Sequence, residues 1–291
     1  MKIVNIVGGL GNQMFQYAFL IALRESSGVE TYYDASLFKT YPLHNGFELG
    51  RLFQITAHQA PISEIRKLSF YTSSYPLWRI LKRLPHRTTQ CFEPSDSRFT
   101  PSLLEDPRDL YYFGVWQDPR YFNQYKEIIR QEFSWKDPLD EKNQSFYNQF
   151  AAHHTVSIHV RRGDYLKEWR YKGICGVEYY EKAIKLAIGS DGIGDVAFAV
   201  FSDDIPWCVK YIIPLLQGRT YTLVDWNSGA ESNKDMRLMS ACQTSIIANS
   251  SFSWWAAYLN IHPDSTVFAP GRWTNAIVLS KRQLDDWVLV D

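Results

Sequence analysis

"SIHVRRGDYL", residues 157–166, joins a strand pattern to a cluster of charged side chains. Polar and apolar residues alternate as far as Val160, which is the period of a β-strand, and the polar face carries Ser157, His159 and then Arg161. Two arginines, a glycine and an aspartate follow where the alternation stops. Arginines at the end of a strand indicate that the strand meets an acidic ligand there.

The rest of the second half repeats a strand followed by a helix. Apolar strand patterns occur in "TVSIHV", "VAFAVFS", "TYTLVD", "TSIIANS" and "STVFAP", and helical patterns lie around 177–188, 205–213, 232–242 and 251–260. This alternation predicts an α/β fold with a parallel, doubly wound sheet. Ligands of such sheets bind outside the carboxyl ends of the strands, which is where the charged cluster lies.

The first half opens as a βαβ unit and then loses its periodicity. A strand over Lys2–Val7, a turn over Gly8–Gly11, a helix and a strand near "VETYYD" are predicted. Between residues 40 and 110 only short helices near 61–70 and 76–84 are indicated, so we expect insertions that shape a substrate cleft. "LYYFGVW" then predicts a strand, "RYFNQYKEIIRQEF" a helix, and "SWKDPLDEKNQ" the approach to a domain boundary. We expect two domains, 1–150 and 151–291.

Composition excludes several classes of function. The chain has 291 residues, 45% of them hydrophobic, and its 31 basic and 31 acidic side chains give no net charge, so nothing indicates a nucleic-acid partner. Four widely spaced cysteines form neither a disulfide framework nor a metal motif. No apolar run is long enough for a signal peptide or a membrane span, so we expect a cytoplasmic protein.

The glycine turn "GGLGNQMFQYA" near the N-terminus imitates a dinucleotide-binding motif. Gly9 and Gly11 occupy the first two glycine positions of G-x-G-x-x-G, and Asp34 ends the next strand, where a ribose-binding acid would stand. Met14 occupies the third glycine position, which disfavours the motif. A plain turn without a ligand and an NAD(P)-dependent oxidoreductase both remain open for this segment.

The arginine pair has the chemistry of a diphosphate site. Arg161 and Arg162 offer planar forks of donors that match phosphate oxygens. The alternatives are a solvated ion pair between Arg162 and Asp164, and an adhesion or glycan-binding module that uses Arg-Gly-Asp without catalysis. Asp164 also stands close enough to the arginines to be a candidate general base.

Two further polar clusters follow predicted strands. Asp203 and Asp204 could accept hydrogen bonds from a guanine base, or could cap a helix. Adjacent acids without a third ligand disfavour a metal site, so none is expected. Asn249, Ser250 and Ser251 end a strand and open a helix, so their hydroxyl and N–H groups could form an anion pocket.

The combination resembles a known family. "GGLGNQ", "HVRRGDY", "FSDD" and "ANSSFSWW" occur in the order and approximate spacing of the α-1,2-fucosyltransferases, which are inverting enzymes that use GDP-fucose. The resemblance spans residues 1 to about 273 and implies a GT-B fold, two facing Rossmann-like domains with parallel sheets. It implies that the second domain holds the nucleotide and that the acceptor is reached from the first.

The resemblance also implies roles for single residues. Arg161 would contact the β-phosphate and stabilise charge on the departing diphosphate, with Asp164 as the second catalytic candidate. The remaining donor-binding candidates, carried over by their motif positions, are Gly11, Asn12, His159, Arg162, Asp203, Ser250 and Ser251. The implied reaction moves L-fucose from GDP-fucose to the 2-hydroxyl of a terminal β-galactoside, without a metal or another cofactor.

A basic segment suggests contact with a membrane surface. Residues 65–92 contain no acidic side chain, and their cations are interleaved with Leu77, Trp78 and Leu81. A segment of this kind can lie on an anionic membrane, as transfer to a lipid-linked galactoside at the inner membrane face would require. A solvated face over an ordinary core helix is the alternative.

Overall fold

The chain folds into two α/β units, which we describe from a computed structural model that covers residues 1–82, 86–189, 196–276, 278 and 280–291. The first unit consists of Met1–Asp137 together with Val278–Arg282, and the second of Pro138–Ile277 with Gln283–Asp291. The predicted division at residue 150 falls inside a helix, Glu141–Ala152, that belongs to the second unit. Within the ranges described, no helix is both long enough and apolar enough to cross a bilayer.

The first unit is built on a five-stranded sheet whose strand pairs are all parallel. Its strands are β1 (Lys2–Asn5), β2 (Thr31–Asp34), β3 (His58–Gln59), β4 (Gln90–Phe92) and β5 (Leu110–Phe113), in the order β3-β2-β1-β5-β4. Its helices are α1 (Leu10–Ser27), α2 (Leu49–Leu52), α3 (Ile62–Leu68), α4 (Tyr75–Leu81), α5 (Ser102–Glu105) and α6 (Lys126–Glu132).

Helix α1 forms the core of this unit. All but one of its residues from Leu10 to Leu23 are buried, and Phe19 stacks on Trp116 with ring centroids 4.1 Å apart. The helix ends at Gly28, whose φ of 61° lies in the left-handed region and whose N–H donates to the Arg24 carbonyl. The predicted βαβ opening is therefore confirmed.

The second unit contains a six-stranded parallel sheet. Its strands are β6 (Thr155–Val160), β7 (Ala197–Ser202), β8 (Tyr221–Val224), β9 (Thr244–Ile246), β10 (Thr266–Pro270) and β11 (Val288–Val290), in the order β11-β10-β9-β6-β7-β8. Its helices are α7 (Glu141–Ala152), α8 (Val177–Ile188), α9 (Ile205–Tyr211), α10 (Asn233–Met239) and α11 (Ser251–Tyr258).

The strand order indicates where along the sheet a ligand crevice opens. Counted from β6, the order reads 3-2-1-4-5-6, so the direction of winding reverses between β6 and β9. A crevice opens at such a switch point, outside the carboxyl ends of the two strands. The predicted parallel doubly wound sheet is confirmed, and "HVRRGDY" and "ANSSFSWW" follow the two strands that flank the switch.

Two predicted elements differ from the structure. The helix expected over 120–133 begins only at Lys126, because Pro119 and Asp118 start a 3-10 turn that is followed by a second one. Helix α7 begins inside the polar segment 134–144, which was expected to approach a domain boundary, and continues to Ala152. Asp140 caps it by accepting from the Asn143 N–H, and few of its side chains are buried, which hid its helical pattern.

Candidate active site

The glycine turn of the first unit is shaped mainly by its own glutamines. Gly8 has a φ of 102°, which favours glycine, and it lets the chain turn from β1 into α1. The buried Gln13 amide donates to the carbonyls of Gly8 and Gly46 and accepts from the Glu48 N–H. Gln16 accepts from the Val7 N–H and donates to the Gly114 carbonyl. Both glutamines therefore satisfy backbone groups around the turn.

The candidates at this turn are Gly11 and Asn12. Gly11 is buried, whereas Asn12 is partly exposed and its side-chain oxygen accepts from Gln117 at 2.7 Å. The His44 ring lies over Gly9, where an added Cβ would be 3.1 Å from Nδ1. Asn12 is thus held at the carboxyl end of β1 by a neighbouring side chain.

Both carboxylate oxygens of Asp34 already accept hydrogen bonds from other residues of the chain. One carboxylate oxygen accepts from Tyr111 Oη at 2.6 Å, and the other accepts from the Ser36 N–H and from Gln59 Nε2. A buried acid with these partners has little capacity left for a ribose. The dinucleotide interpretation of the glycine turn is therefore not supported by this residue.

The arginine pair of the second unit is held by the acid pair of the neighbouring strand. β6 and β7 run parallel with His159 opposite Phe201 and Val160 opposite Ser202. The same register brings Arg161 to Asp203 and Arg162 to Asp204, with nitrogen–oxygen distances of 2.8 Å and 3.0 Å. Asp203 also accepts from the Arg162 N–H at 2.8 Å. Two motifs far apart in sequence thus form one cluster.

The two arginines have different surroundings. Arg161 pairs with both Asp203 and Asp164, whose oxygen is 2.6 Å from Nη2, and its guanidinium lies over the Tyr165 ring. Arg162 pairs with Asp204 and stacks on Trp207 at 4.2 Å. The solvated ion pair considered for Arg162 and Asp164 is therefore formed by Arg161 instead.

The two adjacent acids also have separate tasks. Asp204 caps α9, because its carboxylate accepts from the Trp207 N–H at 3.1 Å. Both oxygens of Asp203 accept from the arginine segment, and an added Cβ on Gly163 would lie only 2.8 Å from Asp203 Oδ2. In this structure Asp203 is thus a partner of the arginines, and its pairing with guanine stays a prediction.

His159 is a neutral imidazole beneath the cluster. Burial lowers the pKa of His159 to about 4, the positive charge of Arg161 acts in the same direction, and Asp203 opposes both. Nδ1 is buried, and no hydrogen-bond partner for it occurs among the residues described. At neutral pH His159 can therefore accept or donate a hydrogen bond, but it does not supply positive charge.

The serines lie at the other side of the switch point. Ser250 is buried and caps α11, with Oγ accepting from the Phe252 N–H at 3.3 Å, and Ser251 begins that helix. Tyr165 Oη donates to the Asn249 carbonyl at 3.2 Å, which ties the loop after β6 to the loop after β9. The structure thus groups His159, the arginines, Asp164, the acids and the serines in one unit, whereas Gly11 and Asn12 belong to the other.

Asp235 has a partly buried carboxyl whose raised pKa the sequence did not reveal. It lies in the first turn of α10, after the carboxyl end of β8, and accepts from Asn227 Nδ2 at 2.8 Å. Burial raises the pKa of Asp235 to about 7, so this carboxyl exchanges its proton near neutral pH. From sequence it was indistinguishable from an acid placed to favour a helix N-terminus. No group of three potential metal-binding acids, histidines or cysteines occurs in the described ranges.

Comparison with known proteins assigns this architecture to a family. Residues 102–291 match the model of glycosyl transferase family 11. An α-1,2-colitosyltransferase of Escherichia coli is 31% identical, over 93% of this chain and 91% of that protein. Human galactoside α-(1,2)-fucosyltransferase 1 is 29% identical, over 87% of this chain and 63% of that protein.

Solved structures agree on the fold. The α-1,6-fucosyltransferase NodZ, in a crystal soaked with GDP-fucose, superposes with a TM-score of 0.54 over 89% of this chain and 91% of that one, at 17% identity. The fold is of the GT-B type, with two Rossmann-like units. The matched family model covers both flanks of the switch point, and the chain belongs to glycosyl transferase family 11.

Proposed function

We propose that this chain transfers L-fucose from GDP-fucose to the 2-hydroxyl of a terminal β-galactoside, with inversion and formation of an α-1,2 linkage. The observation that carries the proposal is the arginine–acid cluster at the switch point of the second unit, in a family 11 chain whose relatives are named for α-1,2 transfer. An inverting transfer accumulates negative charge on the departing diphosphate, and fixed guanidinium groups stabilise that charge.

Arg161 is the proposed diphosphate ligand. Its guanidinium is about one-third exposed and is held by two carboxylates, so it is oriented before the donor arrives. Arg162 is anchored by Asp204 and Trp207, and its proposed role in donor binding is to fix the adjacent backbone as well as to add charge. His159, Asp203, Ser250 and Ser251 are the other proposed donor-binding residues of this unit, and Gly11 and Asn12 of the first unit stay proposed donor-binding residues.

Asp164 is the proposed general base. It is the most exposed member of the cluster, with 64% of its side chain accessible, and can therefore meet an acceptor hydroxyl that arrives from solvent. Its carboxylate contacts the Arg161 guanidinium at 2.6 Å, and a carboxylate that meets the acceptor hydroxyl can take up its proton. The two catalytic candidates are thus in contact before substrate binds.

The proposed reaction needs no metal, because the arginines supply the positive charge that a metal would otherwise bring to a diphosphate. We also propose a cytoplasmic location. All four cysteines are free, as expected of a reducing compartment. The experiment is to incubate the purified chain with GDP-fucose and a β-galactoside, with and without excess EDTA, and to identify the product linkage by NMR.

Formation of Fucα1-2Gal together with GDP, unchanged by EDTA, is the expected result. Release of GDP that depends on added manganese or magnesium would overturn metal independence. Because one relative is a colitosyltransferase, a colitose donor is tested in parallel. Transfer of colitose without transfer of fucose would overturn the proposed donor.

The basic segment supports a lipid-linked acceptor. Helix α4 buries none of its residues, and Leu77 and Ile80 are 45% and 62% exposed. Residues 65–92 also carry Arg66, Lys67, Arg79, Lys82 and Arg87, and Arg83 and Leu84 lie outside the described residues. Exposed apolar side chains in a segment that carries several cations match an anionic bilayer surface.

Vesicle co-sedimentation tests this contact. We expect binding to vesicles that contain phosphatidylglycerol and much weaker binding to neutral vesicles, since each cation near an anionic surface contributes about 1 kcal/mol. A variant with Arg79→Glu and Lys82→Glu should lose most of this binding, while Arg98→Glu and Arg108→Glu serve as the charge-matched control. Equal binding to both vesicle types would count against the contact.

A further inference from the structure

The loop between β6 and α8 holds a large apolar side chain in solvent. Trp169 is 64% exposed, more than any other large hydrophobic side chain among the residues described. Single exposed apolar residues are common on protein surfaces and need no ligand. The surroundings of Trp169 are therefore what decides whether its exposure has a function.

The loop is fixed in place around Trp169. Asn275 Nδ2 donates to the carbonyls of Trp169 and Lys172 at 2.7 Å and 3.0 Å. The Arg170 carbonyl accepts from the Asn275 N–H and from Thr274 Oγ1. Glu168 closes the turn by pairing with Arg170. Because the backbone is held at several residues, little loop entropy is lost when a ligand binds there.

Aromatic contacts connect this loop to the arginine cluster. The Arg161 guanidinium lies 5.6 Å from the centre of the Tyr165 ring, which stacks on Tyr171 with centroids 4.6 Å apart. Trp169 is only two residues from Tyr171, a chain length of at most about 7 Å. Trp169 therefore lies in the same loop as the proposed catalytic pair, the loop that follows the carboxyl end of β6, where ligands of such sheets bind.

We propose that Trp169 is the platform on which the galactose ring of the acceptor stacks. The proposal rests on the proposed function. The axial 4-hydroxyl of β-galactose leaves one face of the ring with only C–H groups at C3, C4 and C5, and an indole buries such a face well. The 2-hydroxyl lies at the ring edge and stays available for attack.

The acceptor fits this position better than the donor does. Candidate donor contacts such as His159 and Ser250 are more than nine-tenths buried, as suits a nucleotide held inside the crevice. An exposed indole at the rim suits a ligand that arrives from solvent after the donor. Stacking there orients the acceptor ring toward Asp164 and so determines which hydroxyl reacts.

The test measures the acceptor KM separately from GDP affinity and donor hydrolysis in Trp169→Ala. We expect the acceptor KM to rise about tenfold or more, while GDP affinity and acceptor-independent hydrolysis of GDP-fucose stay within twofold. Trp169→Phe should recover most of the loss. Leu166→Ala removes an exposed apolar side chain from the same loop and is the matched control, expected to change neither term.

Saturation-transfer NMR with methyl β-galactoside needs no turnover. We expect H3, H4 and H5 to receive most saturation in the wild-type chain and to lose it in Trp169→Ala. An unchanged acceptor KM together with unchanged saturation overturns the platform while leaving the proposed function intact. A parallel loss of GDP affinity or donor hydrolysis overturns it by assigning Trp169 to the donor. A wild-type chain with neither fucosyl transfer nor this saturation pattern overturns both proposals.

Discussion

Arg161 is held by two carboxylates while it stays partly exposed, whereas its neighbour Arg162 pairs with one. We expect Arg161→Lys to lose at least a hundredfold in turnover, because lysine keeps the charge but not the two-pronged fork, and one transition-state donor is worth ~3 kcal/mol. The measurement is kcat with saturating GDP-fucose and galactoside.

The control for this substitution is Arg219→Lys, in the same unit but outside the cluster. It should retain wild-type turnover. Circular dichroism and the thermal midpoint of both variants establish that the fold is kept. Near-normal turnover in a folded Arg161→Lys protein would falsify the assignment of Arg161 to the diphosphate.

Asp164 can be a base for the acceptor or a holder of Arg161, and one variant separates these roles. We expect Asp164→Asn to lower transfer by ~10²–10⁴-fold while GDP affinity and slow donor hydrolysis persist, because only transfer needs the acceptor proton removed. GDP affinity is measured by calorimetry and hydrolysis by GDP release. If affinity and hydrolysis fall together with transfer, Asp164 acts by positioning Arg161.

Sequence could predict which side chains reach one edge of the second sheet, whereas their roles stay predictions. His159 lies near the end of β6, Arg161, Asp203 and Ser250 follow strands, and parallel strands bring their carboxyl ends to one edge. Which acid pairs with which arginine could not be predicted, because that depends on the register of β6 against β7. Asp235 was missed because only its burial, and not its position in sequence, raises its pKa.

At the scale of elements, the β6–β7 register brings Gly163 close to the Asp203 carboxylate. An added Cβ would lie 2.8 Å from Asp203 Oδ2, an oxygen already fixed by Arg161. We expect Gly163→Ala to displace this carboxylate and to lower turnover about tenfold or more through loss of the Arg161 orientation. The measurement is kcat and GDP affinity, beside the thermal midpoint.

Gly173→Ala is the matched control because an added Cβ there meets nothing within 4 Å, although its positive φ adds backbone strain. It is expected to lose stability but not turnover in the folded fraction. Gly163→Ala in combination with Asp203→Ala should recover no activity if Asp203 is the partner that orients Arg161. Full turnover in Gly163→Ala would show that the contact between Asp203 and Arg161 does not orient Arg161 for catalysis.

The elements themselves were predictable where their periodicity is strong. The buried strands β6 and β7 and the helix α8 have runs long enough to show their period, and the structure confirms them. The strands β3, β4 and β11 have only two or three residues, so no alternation can be recognised. Helix α7 was missed because its few buried positions give no apolar stripe.

For the whole molecule, two buried groups have opposite effects on stability as pH changes. His159 has a folded pKa of about 4, so between pH 6.5 and 4 the unfolded chain binds a proton that the native chain does not, and stability is lost as pH falls. Asp235 has a folded pKa of about 7, so between pH 7 and 4 the native chain holds a proton that the unfolded chain has released, and stability is gained.

We therefore expect Asp235→Asn to make the protein more acid-sensitive. The variant lacks the gain from Asp235, so its free energy of unfolding should fall more steeply from pH 7 to pH 4 than that of the wild type, by up to about 3 kcal/mol. Above pH 7 the variant should be more stable than the wild type, because asparagine at position 235 carries no charge, whereas the wild-type Asp235 ionises while partly buried. Urea unfolding at pH 8, 6 and 4.5 measures this, with the exposed Asp225→Asn as control for the lost charge. A difference in free energy of unfolding between the two proteins that does not vary with pH would count against a raised pKa of Asp235.

The segment Val278–Arg282 belongs to the first unit, where the Lys281 N–H donates to Asp118 at 3.1 Å. On the ribosome this segment emerges about 140 residues after Asp137, the end of the unit's main part. At roughly 5–20 residues per second, nascent residues 1–137 wait on the order of ten seconds before their last piece is made. During that interval the second unit's strands up to β10 are made, and its last strand, β11, follows the segment, so both units receive their final pieces only in the last stretch of synthesis.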